Sequence, residues 1–261
     1  MNFQLIIIVC LSINDVVFSK RLRIVGGIDT NIKEYPYTIS LRLQAAQHLI
    51  CGGAIISQQH ILTAAHCFDD TRLYEISVYI GTSLSTNYTM PYYRVCNVHA
   101  HPKYDAKNEM AMKAQYDIAV AVVVPRIILN EYQNVVSLPR RNVGVGKTGV
   151  ITGWGKTGYP IGDTSEVIQM QTMTIIKNSE CQKYLPFPLH SDQLCAFQRK
   201  GVGACYGDSG APLVVDGKIV AVSSFVRPCA IGEPDIYVRV YAYLNFIKQS
   251  MDCPSTSCCL S

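Results

Sequence analysis

Charge is scarce in this chain. Only 16% of its 261 residues are Asp, Glu, Lys or Arg, and the formal net charge is +4. No dense run of lysine or arginine occurs, so the concentrated basic face that a nucleic-acid groove requires is missing. Nucleic acid is therefore excluded as a partner class. Apolar runs of membrane-spanning length are lacking too. The N-terminal run Leu5 to Leu11 falls well short of the ~20 residues that a spanning helix needs, and Asn14-Asp15 closes it quickly. Followed by Val17-Phe18-Ser19, it reads as a cleaved secretory signal over residues 1–19, although the basic residue usual near the start of such segments is absent. A buried N-terminal strand is the alternative. No other stretch approaches a membrane span, and a soluble, secreted, extracellular product is expected. Only Cys253 to Cys259 comes near the paired Cys/His spacing of a zinc loop, and a disulfide-linked or disordered tail is the preferred account of it, so no metal site is expected. No internal repeat and no low-complexity linker is found.

Cysteine, by contrast, is plentiful. Of eleven, Cys10 falls in the signal segment. The other ten are Cys51, Cys67, Cys96, Cys181, Cys195, Cys205, Cys229, Cys253, Cys258 and Cys259. An even number spread through a secreted chain reads as disulfides. Hydrophobic residues make up 49% of the sequence, enough for a substantial core.

Residues 24–250 are dominated by short β-like runs broken by Gly, Pro and Asn. Tyr37 to Leu43 alternates, as does Glu75 to Ile80. Ile118 to Val124 is continuously apolar and stops at Pro125, as a strand buried on both faces would. Gly149 to Thr152, Glu166 to Met170, Leu213 to Val215 and Lys218 to Val222 follow, and the last two flank Asp216-Gly217, a tight-hairpin signal. The pattern predicts an all-β fold, an antiparallel barrel or sandwich. One helical stretch, Tyr241 to Met251, places Leu244, Ile247 and Met251 on one face. A weak boundary near Leu129–Pro139 separates two strand-rich halves.

Three local signatures carry chemistry. His66 stands beside Cys67 at the end of the apolar run that begins at Ile61. Asp117 heads the buried strand Ile118 to Val124. Ser209 lies in the glycine-rich turn Gly207-Asp208-Ser209-Gly210. A serine hydroxyl is a poor nucleophile at neutral pH and needs a base within hydrogen-bonding reach. Histidine suits that role because its pKa lies near the working pH, and a buried acid can fix its tautomer. Glycines free the backbone N–H groups of the turn to meet a developing oxyanion. Each motif alone is common, and it is their combination in the order His, Asp, Ser that is specific.

Over residues 24–250 the chain resembles the chymotrypsin/trypsin family of serine proteases. Ile24-Val25-Gly26-Gly27 resembles that family's mature N-terminus, Cys51 to Ile56 the strand leading to the histidine, and Gly153-Trp154-Gly155 a loop of the second barrel. The resemblance implies two antiparallel β-barrels, about 24–133 and 134–250, with a C-terminal helix and a Cys-rich tail over 251–261. It implies a serine endopeptidase with His66, Asp117 and Ser209 as catalytic residues, the N–H groups of Gly207 and Ser209 as the oxyanion hole, and Ser224 beside the buried acid. Arg23 resembles an activating cleavage site, leaving residues 20–23 as a pro-segment, and Asp208 the acid that receives the new α-ammonium of Ile24. The resemblance also pairs Cys51 with Cys67, Cys181 with Cys195 and Cys205 with Cys229. Cys96, Cys253, Cys258 and Cys259 have no matching pair.

Specificity is less plain. Gly203 matches the floor of the primary pocket, where trypsin-like enzymes carry Asp. Ser224, Phe225 and Val226 match its wall, and Val226 narrows the mouth as in elastases. Asp235 matches a wall position near the floor and, with Gly203, resembles crustacean collagenolytic proteases. The expected preference is for medium apolar or aromatic residues. A trypsin-like or broad specificity through Asp235, or Asp235 in a solvated turn, are alternatives. Ala211 stands where the family usually has glycine. The loop Gly81–Pro91 lacks the acids of the trypsin calcium loop, so no Ca²⁺ is expected there, and Asn87-Tyr88-Thr89 is a glycosylation sequon. No cofactor is expected. The expected partners of this monomer are protein or peptide substrates, a trypsin-like activating protease and protein inhibitors. The alternative from another class is a non-catalytic protease homologue acting as a binding protein.

Overall fold

The computed structural model describes residues 24–69, 71–107, 115–225 and 229–253. The signal and pro-segment, including Arg23, lie outside the described residues, as do Val226, Cys258, Cys259 and the side chain of Phe225.

The first barrel comprises β2 (Thr38–Leu43), β3 (His48–Ile55), β4 (His60–Thr63), β5 (Ile76–Ile80), β6 (Tyr93–Ala100) and β7 (Ala119–Val124). It closes in the order β2-β3-β4-β7-β6-β5 with every pairing antiparallel. Closure leaves no strand edge unpaired, which short β-branched strands need in water. The continuously apolar β7 is buried along its length except at Val124, with one face in the barrel core that also receives Ile247 from the C-terminal helix.

The second barrel contains β8 (Thr148–Gly153), β9 (Gln169–Ile176), β10 (Gln193–Phe197), β11 (Pro212–Val215), β12 (Lys218–Phe225) and β13 (Asp235–Arg239). Its order is β9-β10-β13-β12-β11-β8, closed by the β8–β9 pair, and the short β1 (Ile28–Asp29) adds to the start of β9. Asp216 and Gly217 both take positive φ, 48° and 70°. This is the turn geometry whose twist matches the flanking strands. Helix α1 (Asn178–Cys181) precedes β10. Helix α2 (Leu244–Asp252) follows a 3₁₀ turn over Val240–Tyr243 and seats Ile247 fully in the core. The two closed six-stranded barrels and the terminal helix are the architecture that the resemblance implies.

One strand lies later than the sequence pattern predicts. Glu166 to Ile168 are not in β9, because their backbone is engaged elsewhere. The Glu166 carbonyl accepts from Ser85 N–H (2.8 Å), Ile168 N–H donates to the Ser83 carbonyl (2.7 Å), and the Ile168 carbonyl accepts from Thr30 N–H (3.0 Å). Alternation alone cannot tell a ladder partner from a loop partner.

Candidate active site

The three signatures meet at the seam between the barrels. His66 sits in a 3₁₀ turn (Ala65–Phe68) where β4 runs out of its barrel. The Cys51–Cys67 disulfide ties that turn to β3 across 16 positions of chain. Closing a loop of this size is worth about 3 kcal/mol in the chain-entropy account. Asp117 follows Tyr116, whose φ of +57° turns the chain into β7. The Tyr116 ring stacks on His101 at 5.0 Å, and His101 in turn meets Tyr243 and Phe246 edge-on, which steadies the turn.

Asp117 is 1% exposed and accepts three hydrogen bonds. Its Oδ1 takes the backbone N–H of His66 at 2.9 Å. Its Oδ2 takes His66 Nδ1 at 2.7 Å and the Ser224 hydroxyl at 2.5 Å. A carboxylate acceptor at Nδ1 assigns the proton to that nitrogen and leaves Nε2 as the lone-pair site. The His66 side chain is 28% exposed, so the ring is reachable from solvent while its acid partner is not.

Ser209 is fixed by its backbone from both barrels. Its carbonyl accepts from Gly52 N–H in β3 at 2.7 Å, and the next residue, Gly210, donates N–H to the Ser223 carbonyl in β12 at 2.7 Å. Gly210 has φ +77°, and any side chain there would overlap Thr63 and the Gly52 carbonyl, just upstream of His66. Glycine is required on both counts. Gly207 has φ +95°. Among the described residues, neither the Gly207 nor the Ser209 N–H is donated to a protein acceptor, which leaves two donors on one turn. Ala211, fully buried, packs its methyl against Gly52 and Gly153. These two glycines make the room that the extra methyl needs.

Asp208 points inward from the same turn and is fully buried. Gly155 N–H donates to its Oδ1 at 2.9 Å and Cys205 N–H to its Oδ2 at 3.0 Å. A side chain on Gly153 or Gly155 would overlap this carboxyl, which explains the glycines flanking Trp154. Burial pushes the Asp208 carboxyl up to about 7, against the lowering effect of its two backbone donors. No cation pairs with it among the described residues. Ile24 is fully buried with φ +40°, Gly203 N–H donates to the Val25 carbonyl at 3.0 Å, and Gln171 donates to the Gly26 carbonyl at 2.6 Å.

Asp235 does not lie in a solvated turn. It opens β13, is 2% exposed, and its Oδ2 accepts from Ala204 N–H at 2.8 Å. A methyl added to Gly203 would stand 3.0 Å from that same oxygen, so the missing side chain at Gly203 is what admits the carboxyl. Burial pushes it up to about 8, with the nearby Asp208 adding to the rise. Ser224 is buried in β12 beside a bulge, and the Phe225 backbone pairs with Ile236.

The three expected disulfides are present: Cys51–Cys67, Cys181–Cys195 and Cys205–Cys229. Cys96 is also disulfide-bonded, and Cys253 is an exposed free thiol. Ligand atoms of Cys51, His66 and Cys67 lie within 4.8 Å of one another, but the disulfide consumes both thiols as metal donors. Asn87 is partly exposed, with Thr89 Oγ1 donating to its Oδ1 at 3.0 Å. Among the described residues no helix is long and apolar enough to cross a membrane.

Arg42 escaped the sequence reading. It is fully buried, donates to the carbonyls of Leu84 (2.9 Å) and Asn87 (3.4 Å) and to Ser40 Oγ (2.9 Å), and stacks its guanidinium over Tyr79 and Tyr88 at 4.2 and 5.2 Å. It thus holds the loop Gly81–Pro91 from within. The signal was Thr38, Ser40 and Arg42 sharing one face of β2, a polar face that is buried.

Residues 24–247 match the family profile described as Trypsin. The chain is 35% identical over 228 residues to "Chymotrypsin-2" of Vespa crabro, covering 87% of this chain and 99% of that protein. It is 33% identical over 233 residues to "Trypsin 5G1" of Aedes aegypti, covering 87% and 84%. Among solved structures it is similar to neuropsin, a serine protease expressed in the limbic system of mouse brain. The TM-score there is 0.79 at 26% identity, over 87% of this chain and 99% of that one.

Proposed function

The chain belongs to the trypsin family of serine endopeptidases, and from that premise we propose that Ser209 is its nucleophile, His66 its general base and acid, and Asp117 the carboxylate that orients the imidazole. The observation that carries this assignment is the hydrogen-bond chain from Ser224 through Asp117 to His66 Nδ1. It leaves Nε2 to take the Ser209 proton as Oγ attacks the scissile carbonyl carbon. The oxyanion that forms is met by the two free N–H groups of Gly207 and Ser209. His66 then protonates the departing amine, the acyl-enzyme remains on Ser209, and water deacylates it by the same route in reverse.

The finer reading is a secreted zymogen: residues 1–19 a signal, 20–23 a pro-segment, 24–250 the peptidase domain, 251–261 the tail, and Asn87 a glycan acceptor. Cleavage after Arg23 frees the Ile24 α-ammonium. Asp208, buried without a cation, is its counter-charge, since two opposite charges buried together cost far less than either alone. In the primary pocket, the space beside Gly203 is taken by the Asp235 carboxyl. Asp235, held largely neutral at pH 7 by burial, favours apolar or aromatic side chains over basic ones.

The test is labelling of the trypsin-activated chain with a fluorophosphonate. Label is expected on Ser209, with none on Ser209→Ala, and a fall in kcat of about 10⁴-fold or more for His66→Ala. Undiminished peptide hydrolysis by Ser209→Ala would overturn the assignment. Failure of the activated wild-type chain to label at all would favour the binding-protein alternative.

A further inference from the structure

A cluster of like charge lies where the segment entering β8 runs beside the β11–β12 hairpin. The Ser137 backbone pairs with β12, where Ile219 N–H donates to its carbonyl at 3.0 Å. The chain then turns out through Arg140 and Arg141 and returns at Lys147. Between this segment and the hairpin lies a cleft of about 730 Å³, within the range of specific ligand sites. Arg140, Arg141, Lys147 and Lys218 line it, against the single carboxylate of Asp216. None of the four cations is in an ion pair among the described residues. The cleft's floor is apolar, formed by Val143, Val215 and Val220. Gly144 borders it with nothing within 4 Å of where a side chain would start, so that side stays open.

We propose that this cleft is a secondary docking site for an acidic segment of a protein substrate. A uniform polyanion would be served by a continuous cationic track. Here cations form a rim over an apolar floor, which suits an extended peptide whose successive side chains point to opposite sides, acidic outward to the rim and apolar inward. Asp216 is seven positions beyond Ser209, with β11 between them, at most about 25 Å away. A single unfolded substrate chain can therefore span both places. Charge at this distance acts chiefly by steering encounter, so its effect fades as salt rises.

The proposal rests on the peptidase reading, and its test keeps the two apart. Binding is measured by fluorescence anisotropy at low salt on the activated Ser209→Ala chain, with a labelled ten-residue peptide of alternating Glu and Leu. The Lys/Leu counterpart serves as control. The Glu/Leu peptide is expected to bind at least tenfold more tightly than the Lys/Leu peptide. It is also expected to weaken at least tenfold in the triple variant Arg140→Glu, Arg141→Glu, Lys218→Glu. With Ser209 restored, that triple variant should cleave a short chromogenic peptide at the wild-type rate but lose fivefold or more in kcat/KM on a protein carrying the acidic segment. Equal binding of both peptides, binding untouched by charge reversal, or capture of heparin without the Glu/Leu peptide would each overturn it. Loss of turnover on the short peptide in the Ser209-intact wild type would instead strike the peptidase reading. Circular dichroism establishes that the variant is folded, and a fall in wild-type affinity with rising salt supplies a reading that needs no variant.

Discussion

Asp235 is a carboxyl with one backbone donor, almost no water and, among the described residues, no ion-paired cation. Below about pH 8 it is largely neutral and above it charged. The ratio of kcat/KM for Arg over Phe peptide substrates should therefore climb between pH 7 and 9 in the wild type and stay flat in Asp235→Asn. A flat wild-type ratio would remove Asp235 from the specificity argument. The sign for stability is the opposite of the usual carboxylate case. The folded pKa is raised above the ordinary aspartate value of 3.8, so the folded state binds more protons through that window. Asp235 thus costs progressively more stability as pH rises from about 4 to 8. Arg42 is the second residue with a measurable part. Replacing it by Met strands the carbonyls of Leu84 and Asn87, and the expected loss is about 2–4 kcal/mol in urea unfolding. Faster proteolytic nicking of the loop Gly81–Pro91 should accompany it. Burial pulls the guanidinium down to about 10, still charged at neutral pH. The sequence named Asp235 but left its solvation open, because whether a loop-like acid is buried depends on the empty space at Gly203, 32 positions away. Arg42 was illegible for the related reason that a polar strand face normally meets water.

Among the elements, the segment Ile24–Gly26 has the most to do. It is docked through Gly203 and Gln171, with Ile24 buried and its backbone at positive φ, a costly conformation for a β-branched residue. On the activation reading, Arg23→Gln should yield a secreted chain with under a hundredth of the activity of the treated wild type. Full activity with Ile24 still internal would defeat that reading. Strand signals were otherwise easy to read. The continuous run of β7 and the Asp216-Gly217 hairpin are local events that sequence records directly. Glu166 to Ile168 misled because their hydrogen bonds go to Ser83, Ser85 and Thr30, distant loops that no local pattern reveals.

At the scale of the whole molecule, the His66, Asp117 and Ser209 signatures are local but their meeting is not. His66 and Asp117 come from the first barrel, Ser209 and Ser224 from the second, and only chain order and the family resemblance pointed to their convergence, Ser224 through the resemblance alone. The basic cleft shows the same limit, since Arg140 and Lys218 are near neighbours only because the segment between the barrels lies along β12. The halves share one apolar cluster, which runs from Ile39 and Val120 of the first barrel to Val222 and Val238 of the second, and beside the site they are stitched by polar contacts that include Ser224 to Asp117, Gly52 to Ser209, and Thr38 to Thr152 at 2.7 Å. Each barrel is hydrogen-bonded into a closed ring by itself, so a slight parting along this line would leave every strand intact. A displacement along it is expected to cost activity before secondary structure, an order that turnover and circular dichroism followed together on heating would reveal.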